Sequence, residues 1–595
     1  MTTGPAEATA AEATGIVGLP GRTPVLVVGG GPVGLVASVL LARQGIDHLV
    51  VERRSGVQAA PAAHVTNART FEILRSAGVD MDRVLAACQA PEEGAWVRWV
   101  TSLVGDQLGR VPFELQHRID ELDDVTPTPL RNLSQHRLEP ILRDHVDVLV
   151  DGVEWAGATQ DAGGVTSTLR DVATGATTTV VSDYLIAADG AGSRVRNWLG
   201  IPMEGPDVLQ HFVMIHATAD LRHLVADRPA TLYWTMDPDH RGVFVAHDLA
   251  STWVFMKEWD PDTEDIGSYT DERCEATFRA AAGTDDLELV IEHVRPWRMT
   301  CQIAERYAEG RVFLVGDAAH RFPPTGGMGL NTGVADVHNL VWKLAATERG
   351  WAPPGLLASY GAERRAVAVT NADKSLENAL KMIEVFVACG LTGTAEESRT
   401  AFDAAVSTPE GRGAISDAVE GQDEHFDMLG LQLGFTYPPA RGTVVDDGTP
   451  PVEVPNPVRD YAPSTRPGGR LPHAWVFRKG VRVSTLDLVP PDRYVLVTGS
   501  PAWAEAATVL VGGPLPLSVV QVGRDVLDPD RAWEQVSGTG GDGAVLVRPD
   551  QHVAWRSSGA ADDPVDELRG VLRGLAAVDG AWDGSTAWGG DPTGA

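Results

Sequence analysis

The sequence predicts an α/β protein of several domains: a Rossmann-like dinucleotide-binding domain, an antiparallel sheet interleaved with it, and a smaller α/β domain near the C-terminal end. Three observations predict this. Pro24 to Glu52, PVLVVGGGPVGLVASVLLARQGIDHLVVE, reads as strand, glycine turn, helix and strand. Residues from about Met203 to Glu292 alternate as antiparallel strands do, and the stretch after Pro467 mixes short strands with helical segments. At 595 residues the chain exceeds what one core supports, so two or three domains are expected.

In chain order, residues 1–21 read as a disordered tail rich in Ala, Thr, Gly and Glu, with no basic n-region of a signal peptide. Gly29, Gly31 and Gly34 then have the spacing of the dinucleotide fingerprint. The first glycine allows a tight turn, the second lets backbone approach a pyrophosphate, and the third lets helix and strand pack closely. Phosphates would sit on the helix N-terminus, and Glu52 at the end of the next strand is placed for a ribose hydroxyl. In the following loop Arg53, His64 and Arg69 could hold phosphates or the loop itself, and an amphipathic helix runs from about Asn67 to Ala77.

An irregular stretch near 91–130 follows, and then NLSQHRLEPILRDHV resumes a helical period. Gln135 and Arg137 stand at its start, within reach of a ligand, while Ser134 reads equally as a helix cap. After hairpin-like runs from Val148 to Thr179, the strand Tyr184 to Ala188 ends in Asp189 and Gly190. The carboxyl end of a parallel strand is the usual position for ligand contacts, and a capping role for Asp189 is the alternative. Within the 203–292 sheet, Tyr233, Trp234, His247 and Trp253 are the polar-aromatic candidates for a pocket face, against a reading as core.

Arg311 to Ala345 repeats the strand, turn, loop and helix pattern. Asp317 at the strand end can accept hydrogen bonds from a polyol or ribose chain. Pro323, Pro324, Gly326, Gly327 and Gly329 fix a loop before a helix from about Leu330, whose N-terminus stabilises negative charge. Helical sequence from about Leu356 to Leu433 leads to a Pro-, Asp- and Val-rich linker at 443–467 and then to RYVLVTGS, LSVVQVG and GAVLVRPDQHVAW, the strands of a last domain at 468–595.

Composition narrows the function. With 49 basic and 81 acidic residues the formal charge is −32, which excludes nucleic acid and anionic membrane surfaces as partners. Cys88, Cys274, Cys301 and Cys389 form neither a CxxC pair nor a metal-ligand spacing, so no metal is expected and the thiols read as reduced in a cytoplasmic protein. The most apolar segment, Leu35 to Ala42, falls far short of the ~20 residues a membrane helix requires.

The fingerprint, the IAADGAGSRVR turn and GDAAHRFPPTGGMGLNTGVADVHNLVWKL, in this order, resemble the single-component FAD-dependent aromatic hydroxylases, the family of p-hydroxybenzoate and phenol hydroxylases. AHVTNARTFEIL, LSQHRLEPIL, PGGRLPHAW and GAVLVRPDQHVAWR look most like its chlorophenol and polyketide hydroxylases. The resemblance covers nearly the whole chain after residue 22. It implies an FAD-binding domain over 22–202 and 293–442, with a substrate-domain insertion near 91–130, a substrate sheet over 203–292 and a thioredoxin-like domain at 468–595. Gly29, Gly31, Gly34 and Glu52, with Arg53, would hold the ADP half of FAD. Gln135 would reach the flavin side, Asp317 the ribityl chain, and backbone near Gly329, Leu330 and Asn331 the pyrimidine edge. Asp189 would serve both FAD and the nicotinamide donor, and with no second fingerprint NAD(P)H would bind transiently as co-substrate.

One departure is Pro61, Ala62, Ala63 before His64, where relatives often carry an arginine; Arg69 is the candidate to compensate. The implied chemistry is reduction of FAD by NAD(P)H, addition of O2 to form a C4a-hydroperoxide, and transfer of one oxygen to a small, phenol-like aromatic substrate. Pro323 and Pro324 would wall the ring, with Tyr233 and His247 as candidates to take the phenolic proton. The last domain holds no cysteine, which leaves a packing role or pairing into a homodimer. Two other readings stay open, Baeyer–Villiger insertion into a polyketide and a flavin-binding protein without turnover; halogenation is disfavoured because no WxWxIP-type motif is present.

Overall fold

The computed structural model describes residues 16, 18–58, 60–113, 118–352 and 355–576, and most of the tail expected at 1–21 lies outside the described residues. Strand Arg22–Val28 is the hub of an eight-stranded sheet. It pairs in parallel with His48–Glu52 on one side and Thr177–Ala187 on the other, and these pair in turn with Leu149–Asp151 and Val312–Leu314. Val25, Leu26 and Val27 are fully buried, as expected of a parallel strand covered on both faces. The chain runs outward first to one side and then to the other. The strand order therefore reverses beside Arg22–Val28, and a crevice opens at the carboxyl ends of the strands there. Helices Pro32–Arg43 and Met328–Glu348 pack side by side behind that crevice, both largely buried.

A seven-stranded sheet forms the second layer, in the order Leu289–Met299, Gln210–Ala219, Thr252–Glu258, Gly242–Asp248, Leu232–Thr235, Trp96–Val100, Gln107–Pro112. Its last two strands come from the irregular stretch near 91–130, read as an insertion of the substrate domain, and its edge strand runs to Met299 instead of stopping near 292. Pro296 in that strand is tolerated because an edge strand has one side free of ladder bonds. Alternation separates the two faces. Val213, Ile215, Phe244, Trp253 and Phe255 pack on helix Asp271–Ala282 through Cys274 and Phe278. Met214, His216, Val245, His247, Val254 and Met256 face the other way, into a cavity.

Helices Gly355–Ala388, Ala395–Ser407, Pro409–Glu420 and Leu429–Leu433 account for the helical stretch. Residues 443–467 form neither helix nor strand, yet they are tied down: Val445 N–H donates to Ala554 O at 2.8 Å and Asn456 Nδ2 to Glu424 Oε1 at 2.6 Å. The last domain is a four-stranded mixed sheet, Leu517–Gln521, Tyr494–Thr498, Ala544–Val547 and Val553–Ser557, covered by helices Pro501–Leu510 and Pro564–Ala576. Its four cysteine-free strands carry no redox chemistry. All four cysteines lie elsewhere, and among the described residues none forms a disulfide.

Buried charge fastens this domain to the first. Glu363 accepts from Lys343 Nζ at 2.7 Å and from Arg548 at 2.7 and 2.9 Å, and Arg548 also pairs with Asp550. Arg69 donates to Asp550 O at 3.0 Å, Gln551 Oε1 at 2.8 Å and Glu72 at 3.0 Å, and Glu72 receives Arg470 Nε at 2.8 Å. Arg69 therefore cannot stand in for the arginine missing before His64: it is 2 % exposed and committed to the domain interface. Burial pushes the Glu363 carboxyl up, but Arg548 and Lys343 outweigh it and hold it down at about 2.

Replacing Arg548 by Met leaves Asp550 buried without its cation and Glu363 with Lys343 alone. That should cost about 3–5 kcal/mol in denaturant unfolding followed by tryptophan fluorescence. Because the folded pKa of Glu363 lies below its ordinary 4.5, its contribution is complete above that pH and is lost on acidification toward about 2. Stability measured across that interval should fall more steeply in the natural protein than in E363Q.

Candidate active site

The crevice at the strand ends and the inner face of the seven-stranded sheet enclose one cavity of about 780 Å³. Its first wall is the glycine turn. Gly29 sits at φ +112° with its N–H on Val51 O at 2.8 Å, and a Cβ there would lie 2.2 Å from Ala188 O. A Cβ on Gly34 would lie 1.9 Å from Gly29 O, so this glycine sets how closely helix and strand pack; it does not itself line the cavity. Gly31 is different: it lines the cavity, and a Cβ on it would meet no atom within 4 Å. The space in front of Gly31, at the start of a helix, is room for a pyrophosphate.

Glu52 is buried, accepts Gly30 N–H at 2.8 Å and Arg54 N–H at 2.9 Å, and still borders the cavity. Arg53 beside it is exposed and also borders the cavity. Across the crevice, Asp189 divides its two oxygens. Oδ2 accepts the N–H groups of Arg194 at 2.7 Å and Val195 at 3.2 Å, capping helix Arg194–Trp198, whereas Oδ1 is buried without a partner. Oδ2 thus meets the cap reading of Asp189, Oδ1 is left as an open acceptor, and burial raises the pKa of the carboxylate.

Asp317 follows strand Val312–Leu314 and opens onto the cavity, with protein shielding it from bulk water. No hydrogen bond reaches its carboxylate from the described residues. Burial raises its pKa, against the pull of His320 and Arg321. An enclosed carboxylate without donors is suited to receive the hydroxyls of a polyol chain. Beneath it, Asp336 accepts Gly316 N–H at 3.2 Å, His320 Nε2 at 2.9 Å and Arg364 Nε at 2.8 Å, an anchor for the turn that sequence reasoning missed. Asp336 reads in the sequence as one more helical residue, and only the fold brings it under Gly316.

Helix Met328–Glu348 begins earlier than expected, at Met328, and its N-terminus faces the cavity through Gly329 and Leu330. Gly327, the residue before it, sits at φ +61° with Val65 where a Cβ would go. Asn331 turns its side chain inward: Oδ1 accepts Asn67 N–H at 3.0 Å and Thr70 Oγ1 at 2.7 Å, and Nδ2 donates to Val65 O at 2.9 Å. It fastens the helix start and does not border the cavity. Pro323 and Pro324 line the wall between this helix and the sheet, and Gln135 lines it from helix Gln135–Arg143.

On the sheet side, His247 borders the cavity and Tyr233 does not. Tyr233 points to the aromatic core face, fully buried, with its hydroxyl donating to Arg228 O at 3.0 Å, so it is no candidate for proton transfer. Trp253 shares that face. Ser134 heads helix Gln135–Arg143 without a side-chain cap bond; its hydroxyl is 2.6 Å from His247 Nδ1 instead. His64 Nδ1 is 2.8 Å from Asn132 Oδ1, and Arg137 pairs with Asp248. Burial first, then His64 and His136, hold the His247 imidazole well below its ordinary pKa, so it is neutral at physiological pH. Among the described residues no group of three ligands could hold a metal ion, and no helix is long and apolar enough to cross a membrane.

Comparison with known proteins places this geometry. The model of an FAD binding domain matches residues 22–375, and that of the aromatic-ring hydroxylase C-terminal domain matches residues 464–577. A putative polyketide hydroxylase of Streptomyces halstedii is 38% identical over 572 residues, covering 93% of this chain and 96% of that protein. The 2,4-dichlorophenol 6-monooxygenase of Delftia acidovorans is 35% identical over 594 residues, covering 94% and 98%. Among solved structures, the flavin-dependent monooxygenase PieE in complex with FAD and substrate superposes with a TM-score of 0.86 at 36% identity, covering 93% of this chain and 99% of that one.

Gly29 and Gly31 should separate on substitution. G29A forces backbone apart and should lower both melting temperature and flavin content. G31A places its methyl in open space, so melting of the flavin-free protein should be unchanged while visible flavin absorbance of the purified protein falls.

Proposed function

Because the chain belongs to the family of aromatic-ring hydroxylases with an FAD-binding domain, we propose that it is an FAD-dependent monooxygenase that uses NAD(P)H and O2 to hydroxylate a phenolic or polycyclic aromatic, polyketide-like substrate. The observation that carries this reading is the continuity of the cavity, which runs from the unfilled space at Gly31 past the partnerless Asp317 to the His and Met face of the sheet. FAD, when bound, supplies the chemistry of oxygen activation. Gly29, Gly31, Glu52 and Arg53 would hold its ADP half, Asp189 and Asp317 its linking chain, and the helix start at Gly329 and Leu330 its ring.

The protein's own part is binding, orientation and exclusion of water. The helix N-terminus stabilises negative charge where it arrives. Pro323, Pro324, Val245, Val254 and Met256 supply apolar walls, which a reactive oxygen donor requires to be transferred before water intervenes. His247, neutral and held by Ser134, can orient a phenolic hydroxyl near those walls. We assign the enzyme to the cytoplasm, where its four cysteines, none in a disulfide, stay reduced. A homodimer is part of the same proposal, to be read by sedimentation.

Turnover decides the reading. NADPH or NADH oxidation by the FAD-loaded protein should accelerate with one member of a panel of phenols and polycyclic phenols, and that compound should gain a single atom from labelled oxygen gas. Slow peroxide formation with every compound would overturn the proposal, and product structure separates hydroxylation from ring insertion. D317N, which removes the charge offered to polyol hydroxyls, should weaken FAD binding on the order of 10–100-fold in titration of the flavin-free protein.

A further inference from the structure

Four histidines line the cavity, and they divide into two pairs. His64 and His247 spend a ring nitrogen each on protein partners, Asn132 and Ser134. His216 and His293 make no hydrogen bond with any described residue. They stand directly opposite each other on the paired strands Gln210–Ala219 and Leu289–Met299, with ring centroids 5.8 Å apart and planes inclined at 38°. On a sheet face that carries Met214, Val245, Val254 and Met256 beside His247, a further polar pair without protein partners contributes nothing to packing that an apolar pair would not do better.

The pair is also uncharged on the His216 side. Burial lowers the His216 pKa to about 4, assisted by His293, His136 and Arg295 and opposed by Glu292. Val254, opposite it on the third strand, brings no charge. A neutral imidazole has one N–H to donate. Side by side, the two rings offer N–H groups to two neighbouring acceptors. Arg295, two residues along the same strand from His293, also borders the cavity and is exposed.

We propose that His216 and His293 are specificity-determining residues of the substrate end of the cavity, each donating its N–H to one oxygen of an adjacent hydroxyl and carbonyl pair on a polycyclic aromatic ligand. This rests on the oxygenase reading above and adds to it the chemical class of substrate: hydroxyaryl ketones with the two oxygens on neighbouring positions, in preference to phenols with an isolated hydroxyl. In such a ligand the hydroxyl proton is shared with the carbonyl, so both oxygens present free lone pairs outward and need donors. The arrangement discriminates because a ligand lacking one oxygen leaves a buried imidazole N–H unpaired.

The test is calorimetric binding to the FAD-loaded enzyme, with 1-hydroxyanthraquinone, whose hydroxyl adjoins a carbonyl, against its isomer 2-hydroxyanthraquinone, whose hydroxyl does not. The natural protein should bind the first roughly tenfold or more tightly than the second. H216L and H293L should each erase most of that preference while leaving affinity for the 2-hydroxy isomer within about twofold, and H216Q and H293Q, which restore a neutral donor, should recover part of it. Flavin content of each variant, compared with the natural protein, reports that the fold and the cofactor end are intact. Equal binding of the two isomers by the natural protein, or a preference that survives in both leucine variants, would overturn the assignment. Failure of the oxygenase reading shows separately, as absence of labelled oxygen in any product whatever the binding preference.

Discussion

Everything in this structure depends on how closely three backbone segments approach at the centre of the parallel sheet. Gly29, Gly34 and Ala188 meet where the strand order reverses, and side chains at either glycine would overlap backbone oxygen at 1.9 to 2.2 Å. That contact brings helix Pro32–Arg43 onto the sheet with its N-terminus at the crevice. It also fixes where the strand ends lie, and hence where Glu52, Asp189 and Asp317 present their carboxylates. A crevice rimmed with carboxylates whose acceptor capacity is unfilled is costly in isolation. Its cost makes physical sense if a ligand rich in hydroxyl and amide donors completes it.

The third domain is joined to this centre by charge, not by a greasy interface alone. Arg548, Glu363, Lys343, Asp550, Arg69, Glu72 and Arg470 are all buried, and each has its partner within hydrogen-bond distance. Such a network adds little net stability relative to apolar packing, since desolvation offsets most of the Coulomb attraction. What it does is make other docking geometries expensive, because any misplacement strands a charge. The same logic operates on a smaller scale at Asp336, which is held by Arg364 and His320 and in turn holds the turn that carries Asp317.

The substrate end obeys the opposite rule. Its wall is one face of a single sheet, and alternation along the strands puts Phe244, Trp253 and Phe255 on the far side, where they pack helix Asp271–Ala282, and Met214, Val245, Val254 and Met256 toward the cavity, with Trp297 at the edge. Methionine and valine give a surface that can adjust to a ligand's outline. The histidines are the fixed polar points on it, and burial keeps His216 and His247 uncharged, so they direct hydrogen bonds without drawing water or counterions into a space that must stay dry.

The nucleotide end was legible in the sequence because its determinants are local. Gly29, Gly31, Gly34 and Glu52 lie within one strand, helix, strand unit, and Asp189, Asp317 and the Pro-Gly loop each sit at the end of an apolar strand, so spacing alone predicts where backbone turns and carboxylates must fall. The order of these motifs likewise carried the family resemblance. Tertiary structure decided what depends on register and long-range contact. A strand's face is set by its partners: Tyr233 could not be assigned to core, nor His216 and His293 to the cavity, until pairing across the sheet was known, and a one-residue slip would exchange the two faces. Arg69 reads in the sequence as a holder of phosphates or of its own loop and is instead a bridge to residues 550 and 551, nearly five hundred positions away. Such a contact leaves no periodic trace in either segment, so only the folded chain could show it.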